Sequence, residues 1–150
     1  MATRETDPLL GFCFSLDFGG KIKGYFTECS GLSSENEVVE HKVVTETGQE
    51  VVQKIPGRLK WNDVTLKRGV TGEMDIWDWR ASVEKGDMTT ARQNASIIMY
   101  DRAMTAVARW DLTNAWPTKV SGPQQKTDST EFGIEEITVA CEGFKRAPAK

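Results

Sequence analysis

Residues 55–86 read IPGRLKWNDVTLKRGVTGEMDIWDWRASVEKG, and they hold a strand, a turn and a helix in succession. From Lys60 to Arg68, apolar Val64 and Leu66 alternate with Asp63, Thr65 and Lys67, the period-2 signature of a half-buried strand. Gly69 and Gly72 break that pattern. A helix starting near Glu73 places Ile76, Trp79 and Val83 at i, i+3 and i+7, on one face. Glu73, Asp75 and Asp78 load its first turns with negative charge, as the macrodipole prefers. Lys85 falls in the last turn, and Gly86 is placed to take the left-handed C′ position. One indole-rich helix in a chain otherwise written as strands reads as a plug over a sheet.

Outward from this stretch the chain is all strand and turn. Toward the N-terminus, Phe12, Phe14, Leu16 and Phe18 alternate against Cys13, Ser15 and Asp17; Gly19-Gly20 marks a turn and Tyr25–Cys29 the returning strand. Residues 1–10 form a polar arm ended by Pro8, either loose or docked on a partner. Between Ser33 and Lys54, Val38-Val39, Val43-Val44 and Val51-Val52 flank Thr45-Glu46-Thr47-Gly48. They predict an extended hairpin over 37–54 with Gly48 in the turn. Its charged, β-branched strands have little apolar face, and an isolated hairpin is marginal in water. It therefore packs on its own domain or is completed by another chain.

Toward the C-terminus, 87–95 reads as a polar connection, Ser96–Asp101 as a buried strand, and Asp101–Thr105 as a turn lacking glycine. Ala106–Thr113 alternates again. Pro117 cannot donate to a ladder, so Asn114-Ala115-Trp116-Pro117 ends or bends that strand at an edge or bulge. A polar loop runs through Ser129, and a last strand from Glu135 to Phe144 puts Ile137, Val139 and Cys141 on one face. With about seven or eight strands and one helix, the expected fold is mainly β: an antiparallel sandwich or barrel with one packed α-helix, in a single domain over 1–150.

Composition narrows the function classes. The chain has 150 residues, 39% hydrophobic and 27% charged, ordinary values for one globular domain. No apolar run approaches a membrane span, and no secretory signal opens the chain, which leaves the bacterial cytoplasm as the expected site of synthesis and assembly. A net charge of −3 with interspersed signs argues against sequence-specific nucleic-acid binding. Cys13, Cys29 and Cys141 lack CxxC spacing and read as small buried hydrophobes rather than a disulfide framework.

The residues suggest little chemistry. His41, the single histidine, sits in the charged hairpin, where Glu40 points to the opposite strand face; a solvated histidine is the simplest reading. Neither metal-ligand spacing nor a phosphate-binding glycine loop occurs, so no metal, cofactor or enzyme activity is expected. Two readings from other classes stay open. Glu73, Asp75 and Asp78 are candidate acid/base carboxylates of a hydrolase. Trp61, Trp110 and Trp116, among five tryptophans, are candidate stacking platforms of a carbohydrate-binding sandwich.

The ordered set of motifs resembles the inner tube proteins of contractile phage tails and phage tail-like injection systems, related to the tube of type VI secretion. The set comprises Phe26-Thr27-Glu28-Cys29-Ser30-Gly31-Leu32, Pro56-Gly57 with Leu66-Lys67-Arg68-Gly69, and Ile76-Trp77-Asp78-Trp79. It continues with Ile97 to Asp101, Trp110 to Pro117, and Glu131, Glu136, Ile137, Glu142 and Gly143, and so spans about 9–145. Two departures stand out: HKVVTETGQE replaces a more Gly- and Arg-rich loop, and Ile76 stands where Leu is common.

The resemblance implies a tail tube fold whose subunit forms hexameric rings stacked into a hollow tube, driven into a target cell when a surrounding sheath contracts. The implied partners are other copies of the chain, the sheath protein, baseplate or spike and terminator proteins, and protein cargo in the lumen. Within it, Glu37, Glu40, Lys42, Glu46 and Gln53 are candidate ring-forming or lumen-facing residues. Thr45, Glu46, Thr47 and Gly48 form a candidate inter-ring loop, and Ile76, Trp77, Trp79 and Val83 a bracing helix. A tube initiator or baseplate adaptor, and the tube of a DNA-carrying phage, remain as alternatives. Release of the particle from the cell is compatible with each.

Overall fold

The structure is a computed structural model that describes residues 13–19, 21–70, 72–123 and 133–149. The expected N-terminal arm 1–10, Phe12, Gly20, residues 124–129 of the polar loop, and Glu131 lie outside these residues. Among the described residues there are ten strands and two helices. The first strands are β1 (Cys13–Phe18), β2 (Lys21–Phe26), β3 (Glu28–Ser30), β4 (Ser34–Val44), β5 (Glu50–Trp61) and β6 (Val64–Gly69). Helices α1 (Asp75–Glu84) and α2 (Met88–Ala91) precede β7 (Gln93–Tyr100), β8 (Ala106–Ser121), β9 (Ile134–Ala140) and β10 (Gly143–Ala147).

Eight strands join in one antiparallel sheet, ordered β2-β1-β7-β8-β9-β6-β3 with β10 also on β8; among the described residues β4 and β5 pair only with each other. The long strand β8 is the corner. Its first half pairs with β7 and β10, and Trp116 to Ser121 pair with β9. The turn of direction falls where Asn114 takes φ 50 and the register slips between Pro117 and Lys119. Thus Pro117 stands beside a bulge that bends the strand rather than ending it.

The core lies between the two halves of this folded sheet and α1. Leu16, Phe26, Val64, Leu66, Ile76, Ile97, Leu112, Ile137 and Val139 are buried. The expected face of α1 is the buried one. Ile76 is fully enclosed, and Trp79 stacks on Phe18 with ring centroids 4.1 Å apart. The Trp79 indole Nε1 donates to the Ala91 carbonyl at 2.6 Å, so α2 supplies the acceptor that lets an indole be buried. Trp77 and Val83 pack at the margin of the same cluster.

Several boundaries differ from the sequence expectation, each for a local reason. The stretch Lys60–Arg68 is two strands, interrupted at Asn62-Asp63; Asn62 bonds back to Ser33 by its backbone N–H (3.1 Å) and its side-chain amide (2.6 Å to Oγ). The helix begins at Asp75, because Glu73 is drawn off to an ion pair with Arg68. Gly86 takes φ 81 just past the C-cap Lys85, as expected. The polar connection 87–95 contains α2, whose cap Asp87 accepts from the Thr90 N–H at 3.3 Å. The glycine-free turn at 101–105 works because the Asp101 carboxylate accepts from the N–H groups of Ala103 and Thr105, both at 2.9 Å. Tyr25–Cys29 and Glu135–Phe144 are each divided between two strands, β2 with β3 and β9 with β10.

Candidate assembly site

The predicted hairpin is longer than the sequence indicated, running from Ser34 to Trp61 instead of 37–54. It forms a two-stranded arm whose outer edges no other described strand pairs. Every residue of β4 is exposed except the half-buried Val43, and in β5 only Gly57 and Trp61 are less than exposed. Beyond its root, the arm is not packed on the described residues of the body. Val38 (61%), Val39 (51%), Val52 (49%), Ile55 (45%) and Leu59 (50%) stand open to solvent, a costly arrangement for a lone hairpin.

Only the root of the arm is anchored. The Trp61 ring meets Phe144 edge-on at 4.9 Å and lies against Gly143. Beside it, Gly31 takes φ 88, and any β-carbon there would collide with the Asp63 carbonyl. Glycine is therefore required where the chain crosses from β3 into β4. At the tip, Thr45 and Gly48 close the turn through Gly48 N–H to Thr45 O (2.9 Å) and Thr45 N–H to Gln49 O (2.8 Å), with Gly48 at φ 83.

The register assigns each expected site residue to a face, since directly opposed residues of an antiparallel pair share one. Glu40 lies opposite Lys54, and Lys42 opposite Val52; both pairs are on one face. His41 with Gln53, and Val39 with Ile55, occupy the other. Glu37 stands on that second face, at a register shift, and Glu46 is in the exposed tip turn. The set Glu37, Glu40, Lys42, Glu46 and Gln53 is thus divided between two faces and the tip. The expected loop Thr45, Glu46, Thr47 and Gly48 is the exposed tip; of the expected helix residues, Ile76 and Trp79 lie in the body's core and Trp77 and Val83 pack against it. Period-2 alternation within β4 already separates Glu37 from Glu40 and Lys42; the register shift between Asn36 and Val38 sets Gly57 and Arg58 against Glu37, and Pro56-Gly57 is its sequence signal.

Behind the root, the body holds a buried charge cluster that sequence reading did not assemble. Arg68 of β6 is 3% exposed. Its Nε donates to Glu135 Oε2 on the paired strand β9 at 3.1 Å, and its Nη1 to Glu73 Oε2 at 3.2 Å. Trp77 Nε1 donates to the other Glu135 oxygen at 3.1 Å, and Arg68 lies over the Phe26 ring at 5.1 Å. Gly24 of β2 makes room, as a β-carbon there would strike the Arg68 guanidinium. The two carboxylates and the indole satisfy a charge that would otherwise be prohibitive to bury, and they tie β6, β9 and α1 together. The alternation Val64, Leu66, Arg68 was visible in sequence, and a charge in phase with buried positions is the signal that could have found the cluster.

The other candidates are dispersed. Glu73 belongs to the Arg68 cluster, whereas Asp75 and Asp78 sit exposed in the first turn of α1. Among the candidate stacking tryptophans, Trp61 is taken up by Phe144 and Trp110 lies beneath the Arg146 guanidinium at 5.4 Å. His41 is exposed on the arm. The cysteines are free and partly buried, and burial pushes the Cys29 thiol up to about 12. On the outer side of β7 and β8, the hydrogen bond from Arg109 to Asp111 at 2.8 Å holds the Asp111 carboxyl below its usual range. No group of three or more His, Cys, Asp or Glu side chains spaced to hold a metal occurs among the described residues. None of their helices is long and apolar enough to cross a membrane.

Comparison with known structures places this body-and-arm architecture. The chain is similar to one in the cryo-EM structure of an extracellular contractile injection system, the PVC sheath-tube complex in its extended state. The TM-score is 0.74 at 22% identity, over 96% of this chain and 94% of that one. It is similar to a chain of the anti-feeding prophage tube-terminating cap, with TM-score 0.74 at 22% identity over 99% and 97%. It is also similar to Hcp1 from Flavobacterium johnsoniae, with TM-score 0.52 at 14% identity over 91% and 96%. At these identities the likeness is one of fold. None of the curated proteins matches the chain in sequence. Residues 10–145, covering the arm, the folded sheet and α1, match the family of the T4-like virus tail tube protein gp19, and the chain belongs to that family of tail tube proteins.

Proposed function

We propose that this chain is the repeating subunit of the hollow inner tube of a contractile injection system. It forms hexameric rings that stack, and the tube is driven into a target when the surrounding sheath contracts. The observation that carries the reading is the arm: two long strands whose outer edges no described strand pairs, with exposed valines that a second copy would cover. Membership of the tail tube family and the fold shared with contractile injection structures support it. Glu37, Glu40, Lys42, Glu46 and Gln53 contribute to ring formation or the lumen, and Thr45–Gly48 to the contact between rings. The role is structural, in a single tail-tube domain assembled in the cytoplasm. The sheath, baseplate and terminator proteins are its partners, and the lumen encloses cargo.

Negative-stain microscopy of the purified full chain at high concentration tests this. Rings and tubes that persist in high salt are expected; a chain that stays monomeric alone and with its sheath and baseplate partners would overturn the proposal. Rings that never extend would point instead to an initiator or baseplate adaptor of the same fold.

A further inference from the structure

Residues 67 and 68 are neighbours in β6, so their side chains point to opposite faces of the sheet. On the inner face, Arg68 stands opposite Glu135 of β9 and is closed onto it. On the outer face, Lys67 stands opposite Glu136, the next rung of the same ladder. A directly opposed Lys and Glu on a sheet attract each other and are within reach. Yet the ion pairs among the described residues use Lys42, Arg68, Arg80 and Arg109 as their cations, and Lys67 enters none. Lys67 and Glu136 instead stand apart, each half-buried, in the walls of a groove of about 370 Å³. Lys119, Ser121, Gly122 and Ile134 complete its lining. The side chains of Lys67, Lys119, Ser121 and Glu136 make no hydrogen bond or ion pair with another described residue.

The register carries the same face beyond the groove. Ser121 is opposite Glu136, Lys119 opposite Thr138, and Trp116 opposite Ala140, the slip after Pro117 keeping all three on one side. Trp116 is half-buried but is not among the residues packed on the core. Trp61 is covered by Phe144 and Trp110 by Arg146, whereas Trp116 has no ring or guanidinium partner among the described residues. From Glu136 to Ala140 is four residues, about 13 Å of strand.

We infer that this face binds an extended, acidic stretch of a polypeptide partner, one carboxylate side chain entering the groove and an apolar side chain four residues away resting on Trp116. Residues four apart in an extended segment fall on the same side, at the spacing that separates the groove from the indole. Lys67 and Lys119 supply ammonium donors to the carboxylate and Ser121 a hydroxyl, while Glu136 accepts a backbone N–H of the guest. Two lysines against one glutamate leave a single positive charge, which suits a carboxylate; a phosphate dianion would be repelled by Glu136. Glu28, across Lys67 on β3, stands outside the groove. The indole adds the large apolar contact on which peptide recognition commonly depends. The inference uses the folded body alone and rests neither on the arm nor on ring formation.

The probe is a rhodamine-labelled, end-blocked decapeptide with a leucine four residues from its single glutamate, titrated against the full chain and read by anisotropy. Saturable binding with a Kd below about 1 mM is expected. Glutamine in place of the peptide's glutamate, or Lys67→Gln or Lys119→Gln in the chain, should weaken it at least about fivefold. Trp116→Ala should weaken the leucine peptide by a similar factor and leave a serine-for-leucine peptide unaffected. Lys85→Gln, an equal change of charge at the exposed end of α1, should bind as wild type does.

No saturable binding up to about 1 mM overturns the site. So does binding that the lysine variants leave unchanged, or that Lys85→Gln weakens as much as they do. Tighter binding of a phosphoserine-for-glutamate peptide assigns the groove to phosphate and overturns it as well. The lysine variants, altered at surface side chains, decide the matter if Trp116→Ala unfolds. A chain that forms rings but binds no peptide overturns the site and keeps the tube reading; one that binds peptide but never assembles does the reverse.

Discussion

The body and the arm are built from the same kind of sequence and meet opposite fates. In β6, Val64, Leu66 and Arg68 alternate inward and all are buried; in β4 and β5, a similar alternation of β-branched and charged residues leaves almost every side chain exposed. Even charge is treated differently. Arg68 is enclosed with Glu135 and Glu73, whereas Lys42 and Glu50 pair in open solvent, at 75% and 65% side-chain exposure. Alternation reports that a strand has two faces; whether one face is covered depends on what lies opposite. In the body, α1 and the other half of the folded sheet provide that cover. On the arm, the chain's described residues provide none.

Substitutions in the two regions should separate stability from assembly. The largest expected loss is from Trp79→Ala, which empties the space beneath Phe18 and strands the Ala91 carbonyl. It should cost about 4–5 kcal/mol in urea unfolding of the monomer and reduce ring assembly with it. If unfolding is unchanged, α1 is not the brace described here. Next is Glu135→Ala, which leaves Arg68 buried with one fewer partner, the more exposed Glu73. It should cost about 3 kcal/mol, less than Trp79→Ala, because Glu73 still neutralises the guanidinium. A smaller effect from the double variant Arg68→Met with Glu135→Leu would confirm that the damage comes from an uncompensated charge rather than from lost packing.

The smallest effect belongs to the arm. Val52→Thr, on the exposed arm opposite Lys42, should change monomer stability by no more than about 0.5 kcal/mol, with any larger effect confined to ring assembly. A drop comparable to the body variants would mean that this face packs on the chain itself, and the contrast between body and arm would collapse.

Local chemistry made much of the architecture legible. The first strand, the Trp-rich helix face, the Gly48 turn and the Gly86 cap follow from periodicity and from the backbone freedom of glycine, which act within a few residues. The boundaries that shifted were moved by distant partners: Glu73 left the helix for Arg68, and β8 continued past Pro117 because β9 pairs with its far end. The candidate assembly residues were legible as a hairpin, but not as pairs: the register set at the turn, Val44 against Glu50, decides which β4 residue each β5 residue such as Gln53 faces.

By itself, then, the sequence determined a β-rich domain with one indole-bearing helix, a long charged hairpin, and an order of motifs typical of tail tubes. Those properties reside in local propensity and spacing, which a chain carries before it folds. Only the tertiary structure decided that β8 turns the corner between two half-sheets, that Arg68 is enclosed by two carboxylates, and that the described residues leave the strands of the arm uncovered. Each of these depends on which distant strands pair and in what register, and a shift of one residue there exchanges inside for outside.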